Sequence, residues 1–143
     1  MVARLRHIAL NVPDPEKAAK FFEEAFGMTR AGPAGLGLYM TDGTINVALL
    51  KFPGDVPGYA PGEKAQGLIH FGMWVDDLDE AAEKVTKAGG KYLTGRADKN
   101  PNTYYEVKYT DPNGVVFDMT HSGWKGAVKE VEPAKAGNKA AAE

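Results

Sequence analysis

Cysteine is missing from all 143 residues. Disulfides and thiolate metal sites are thereby excluded. Long apolar runs are missing too. None approaches the roughly 18 residues that a membrane-spanning helix needs. The opening Met1-Val-Ala-Arg-Leu-Arg6 runs straight into a strand pattern and lacks the apolar core of a secretory signal. Nor is there a dense basic stripe. With 17 Lys and Arg against 19 Asp and Glu, the formal net charge is -2, which argues against a nucleic-acid partner. These absences lead to the expectation of a soluble, cytoplasmic protein with no membrane partner. The hydrophobic share of 43% is enough for a real core, and the length suits one domain.

What the chain does have is a repeat. His7-Ile-Ala-Leu-Asn-Val12 leads through Asp14 into Glu16-Lys17-Ala18-Ala19, and His70-Phe-Gly-Met-Trp-Val75 leads through Asp77 into Asp79-Glu80-Ala81-Ala82. The offset continues without a gap through Ala25/Ala88 to Gly27/Gly90. In each copy a histidine opens an apolar strand that feeds a capped helix. Two such histidines can face each other across a pseudo-twofold axis.

Alternation over residues 5–12 puts His7, Ala9 and Asn11 on one strand face and Ile8, Leu10 and Val12 on the other. Asp14-Pro15 supplies an N-cap and a proline at the first helical position, and Gly27 is a natural stop. Residues 35–40 and 44–52 read as strands joined by a turn at Asp42-Gly43. Residues 53–67, dense in Pro and Gly, read as a linker. The second unit has a strand at 68–75 and a helix at 77–88. Strands at 91–94, 104–110 and 115–120 come next, with a strong turn at Asp111-Pro112-Asn113-Gly114. The expectation is an α+β protein of paired βαβββ modules. Module one spans 1–52, the linker 53–67 and module two 68–124, in one domain. Residues 125–143, rich in Lys, Ala, Glu and Gly without apolar periodicity, are expected to form a mobile tail with no metal or catalytic role.

The candidate metal ligands are His7, His70 and Asp118. Alternation turns Asp118 away from Val115, Phe117 and Met119, and a carboxylate in so apolar a strand is costly unless paired or bound to a cation. Pairing with a lysine or arginine is the alternative reading. Two imidazoles and one carboxylate suit Fe(II), Mn(II), Zn(II), Ni(II) or Co(II). On one triangular face they leave positions open for substrate, water or oxygen. His121, just past the last strand, is a candidate general acid or base. Tyr104 and Tyr105 are adjacent, so one is expected to point inward; Tyr104 is the candidate catalytic phenol. Asn11, Ala48, Gly72 and Trp74 are the candidate substrate contacts. Small residues leave room there, and Trp74 offers a flat wall for a small aromatic or conjugated ligand. Gly72 and Trp74 also admit a plainer reading, as a strand kink and a core residue.

The chain resembles the vicinal oxygen chelate superfamily, the glyoxalase, bleomycin-resistance and extradiol-dioxygenase fold. The resemblance covers about residues 4–122. It rests on the His7 strand with Asp14-Pro15, on Leu68-Ile69-His70-Phe71, on Val75-Asp76-Asp77, and on Asp111-Pro112-Asn113-Gly114 ahead of Asp118. It implies a cupped sheet around a divalent metal, substrates that bind through adjacent oxygens, and a homodimer. Carried over residue by residue, it places metal ligands at His7, His70 and Asp118, the last shorter by one methylene than the family's glutamate. The fourth ligand of glyoxalases and epimerases falls on Ala48, with Asn46 on the same face. The tyrosine of ring-cleaving dioxygenases falls on Lys108, with Tyr109 one step later. Three ligands without a fourth carboxylate favour an Fe(II) dioxygenase acting on a catechol-like substrate. A lyase or isomerase using Ni, Co or Zn is the second reading, and a non-catalytic binder of antibiotics or other small molecules the third; Mn stands with Ni, Co and Zn as an alternative to iron in the site.

Overall fold

The repeat appears in the backbone as two copies of one unit. The computed structural model describes residues 2–64, 66–95 and 106–132. The first unit is β1 (Arg4–Asn11), α1 (Pro15–Phe26), β2 (Thr29–Ala34), β3 (Gly37–Thr41) and β4 (Asn46–Leu50). The second is β5 (Gly67–Trp74), α2 (Leu78–Lys87), β6 (Lys91–Gly95), β7 (Val107–Thr110) and β8 (Val116–Thr120). The strands form one sheet in the order β2-β3-β4-β1-β5-β8-β7-β6. Exchanging the two units reverses this order onto itself, so the pseudo-twofold passes between antiparallel β1 and β5. Within each unit the histidine-bearing strand pairs in parallel with the last strand.

Local chemistry sets the helices. Asp14 caps α1 by accepting from Lys17 N at 3.1 Å, and Asp77 caps α2 by accepting from Glu80 N at 3.0 Å. Gly27, at φ 67, ends α1 in the left-handed conformation that glycine adopts without strain. Each helix covers the outer face of its own half. Leu10, Leu38, Met40 and Leu49 pack with Ala19 and Phe22 of α1. Met73, Val75, Tyr109, Phe117 and Met119 pack with Leu78, Ala81 and Val85 of α2. A third cluster lies on the inner face, where Ala9, Ala48 and Ile69 meet Val56 and Tyr59 of the linker. The linker therefore folds into the cup, with the Tyr59 hydroxyl donating to the Ile69 carbonyl.

The structure completes the sequence expectation in one place and departs from it in another. The βαβββ plan called for three strands after α1 while the pattern placed only two of them, and β2 is the third. Gly32 and Pro33 hide it from a strand pattern; at the sheet edge, a residue without an N–H need not break the ladder. The stretch expected to be mobile from residue 125 is tied down over its described part. Arg6 Nε donates to Val128 O at 2.6 Å, Val128 N donates to Thr44 O at 2.9 Å, and Lys129 pairs with Asp76. These are long-range bonds that composition does not reveal. Among the described residues, no helix is long and apolar enough to cross a membrane.

Candidate metal centre

The register builds the centre. His7 lies opposite Gly72, and His70 lies opposite Ala9 on the paired strand. On the other side of β5, Asp118 lies opposite Gly72. His7, Gly72 and Asp118 thus stand in a row across three strands, with the outer backbones about 10 Å apart. Side chains from the two ends can meet because the middle residue has none.

They do meet. His7 Nε2 is 3.3 Å from His70 Nε2, and Asp118 Oδ2 is 3.0 Å from His70 Nε2 and 3.8 Å from His7 Nε2. Two ligand atoms about 2.1 Å from one ion, at tetrahedral or octahedral angles, stand about 3.0–3.4 Å apart. The triangle is close to that size. His7, His70 and Asp118 are 2%, 7% and 0% exposed. Asp118 Oδ2 is the telling atom. It is buried, with His70 Nε2 at 3.0 Å as its near neighbour and no well-formed hydrogen bond. Buried oxygens are rarely left so, and a cation among the three atoms would satisfy it. By this measure the residues fit a divalent metal.

Further groups shape the site. Lys108, opposite Asp118 across β7 and β8, places Nζ 2.7 Å from Asp118 Oδ1 and 3.3 Å from Glu106 Oε2. The pairing weighed as an alternative to metal binding is thus present, but it engages one carboxylate oxygen and leaves the other facing the histidines. Asn46, opposite His7 across β1 and β4, presents Oδ1 to His7 Nδ1 at 2.6 Å while its Nδ2 donates to Lys125 O at 2.7 Å. The amide oxygen needs a donor, so Nδ1 carries the proton and Nε2 keeps its lone pair toward the other two groups. Trp124 stacks on His7, with centroids 4.6 Å and planes 8° apart, and donates from Nε1 to Glu106 Oε1 at 2.5 Å.

Burial is the largest influence on His7. It pushes the imidazole down to about 4, so the ring is neutral at pH 7, as a ligand must be. For Asp118, burial works upward, but His70 and Lys108 outweigh it and hold the carboxyl below its usual range. Lys108 is opposed by its own burial and held above its usual range by Asp118 and Glu106.

The other candidates are more scattered. Ala48 faces Ala9 just as Asp118 faces Gly72, so it holds the place of a fourth ligand without a side chain able to serve. Val56 and Ile69 pack beside it. Asn11 lies about 13 Å along β1 from His7. It holds the linker, accepting from Phe52 N and donating to Lys64 O. The room over Gly72 is taken up by Trp124: a Cβ there would fall 2.7 Å from the indole and 2.8 Å from His7 Cβ. Trp74 donates to the His121 carbonyl at 3.0 Å. His121 is not among the converging ligand atoms, and Tyr104 lies outside the described residues. Sequence reasoning missed Glu106 and Trp124. Strand alternation puts Glu106 on the same face as Lys108, a signal that was available. Nothing local marks Trp124.

A cupped pair of βαβββ units with two histidines and a carboxylate on its inner face defines a class of protein. Residues 4–119 match the Glyoxalase/Bleomycin resistance protein/Dioxygenase superfamily, and the chain belongs to it. A glyoxylase-like domain-containing protein from Didymella fabae is 32% identical over 103 residues, 66% of this chain and 75% of the relative. Among solved structures, a variant of Streptomyces coelicolor methylmalonyl-CoA epimerase superposes with a TM-score of 0.65 at 14% identity, covering 83% of this chain and 96% of that one. A variant of homoprotocatechuate 2,3-dioxygenase from B. fuscum superposes with a TM-score of 0.62 at 17% identity, covering 85% and 33%. At these identities the structural likeness speaks for the fold.

Proposed function

We propose that this protein is a metal-dependent enzyme of its superfamily, with His7, His70 and Asp118 as ligands, and that it is an Fe(II) dioxygenase acting on a small catechol-like substrate. The observation that carries the reading is the orphaned Asp118 Oδ2 converging with two imidazole nitrogens, with Ala48 where a fourth ligand would stand. Three protein ligands leave positions for substrate and oxygen. Dioxygenases are among the activities that name the superfamily.

A bound ferrous ion would supply a Lewis-acidic centre for adjacent substrate oxygens and a path by which electrons pass to oxygen from the diphenol, which is the net reductant. The chain's own part is positional. Asn46 holds the His7 tautomer, and Lys108 ties down one oxygen of Asp118 so that the other is directed inward. Trp124 and the linker side chains Val56 and Tyr59 pack against the inner face. Anaerobically purified protein is expected to hold about one iron per chain and to consume oxygen with a diphenol, and His70→Ala is expected to lose both. No uptake by iron-replete protein across a broad diphenol panel would rule out ring cleavage.

Glu106 favours a second reading. A carboxylate stands beside the ligands after all, brought in by the residue just ahead of β7 rather than by β4. It provides the proton-transferring base that a lyase or isomerase needs. On this reading, protein loaded with Ni(II), Co(II) or Zn(II) turns over substrate without oxygen, and Glu106→Gln abolishes turnover while metal content is retained.

A further inference from the structure

We propose that the segment after β8, residues 123–128, is a working part of the metal centre, with Trp124 as the positioning residue for His7. The inference rests on the metal reading above. All three candidate ligands precede this segment in the chain, and the composition from residue 125 onward suggests a tail. Yet the segment returns across the sheet onto the first unit, and its contacts converge on one ring.

Trp124 covers the face of the His7 imidazole. The next residue, Lys125, holds the amide of Asn46 through its carbonyl, and that bond turns the Asn46 oxygen toward the ring edge. The segment is anchored just beyond. Thr41 Oγ1 donates to Gly126 O at 2.7 Å, and Val128 is bonded both to Thr44 and to Arg6. Consecutive residues therefore hold both the face and the edge of His7. The same indole donates to Glu106, which shares Lys108 with Asp118, so one side chain is linked to two candidate ligands. Trp124 is 2% exposed, and the missing side chain at Gly72 makes its space. A ligand ring must aim its lone pair closely, and partners outside the ligand set carry much of that aim.

The competing account makes Trp124 a packing residue only. Metal affinity separates the two. Isothermal titration with Co(II) is expected to show affinity lower by about 10- to 100-fold in Trp124→Leu, which fills volume without a flat face. Trp124→Phe, which restores a flat ring, is expected to regain most of it. A second readout needs no change at Trp124. The chain has 2 tryptophans, so Trp74→Phe leaves Trp124 as the only tryptophan emitter. Co(II) is expected to quench it in step with site occupancy. Wild type that binds Co(II) and loses it in His70→Ala, with Trp124→Leu binding as tightly, would overturn the inference and leave the metal reading intact, whether or not Trp124 emission is quenched. Wild type that takes up no divalent ion would remove the metal reading, and this inference with it.

Discussion

Asp118 has two oxygens with different neighbours. Oδ1 meets Lys108, and Oδ2 meets the histidines. Replacing Asp118 by Asn keeps the shape but removes the charge that balances a buried ammonium. Lys108 keeps Glu106, so the cost is expected to be partial, about 1–3 kcal/mol in the metal-free protein. Adding Lys108→Met should recover much of it, because the buried cation is then gone. Urea unfolding of the chelator-treated variants checks both, and equal stability of Asp118→Asn and wild type would contradict the ion-pair argument. His7 yields a pH prediction. Burial lowers it from 6.5 to about 4. Between those values only the unfolded chain takes up the proton, so metal-free stability falls as pH drops through this window. The loss approaches about 3 kcal/mol near pH 4. Asp118, lowered in the folded state, adds a further loss as pH falls through its folded value. Urea midpoints at pH 7, 6, 5 and 4 test this, and a midpoint unchanged from 7 to 5 would contradict it.

Among the elements, β5 carries the most constraint. It pairs with β1 on one side and β8 on the other, so its middle residue separates His7 from Asp118. Gly72→Ala would push a methyl against two aromatic neighbours that have little freedom to yield. The expected cost is about 1–3 kcal/mol, with a shift in tryptophan emission as Trp124 is displaced. Thermal unfolding and fluorescence measure it, and a fully stable Gly72→Ala protein with unchanged emission would mean that the indole does not sit over this strand. The helices do simpler work, each closing the outer face of its half through a capped amphipathic stretch.

For the whole molecule, the two units share one sheet, and the ligands come from both. Metal binding should therefore stabilise the fold across the β1–β5 seam. With Co(II) at about a hundredfold excess over Kd, the gain is about 2.7 kcal/mol. The thermal midpoint of wild type is expected to rise accordingly, and that of His70→Ala to stay flat. A rise of equal size in His70→Ala would mean that the ion binds elsewhere.

The sequence by itself determined the doubled βαβββ plan, the Asp14 and Asp77 caps, the inward face shared by His7 and Ala9, and the inward turn of Asp118. These arise from strand and helix periodicity and from capping chemistry, which act between near neighbours. Lys108 and Tyr109 were legible as opposite faces of one strand, and the structure has Lys108 at Asp118 and Tyr109 in the outer core. Only the tertiary structure decided that Asn46 serves His7 rather than standing as a ligand, that Asn11 holds the linker, and that Glu106 joins the centre. It also decided that residues 125–130 are bound rather than loose. These depend on register between strands far apart in sequence and on backbone bonds to a returning segment, and such contacts leave no local pattern to read.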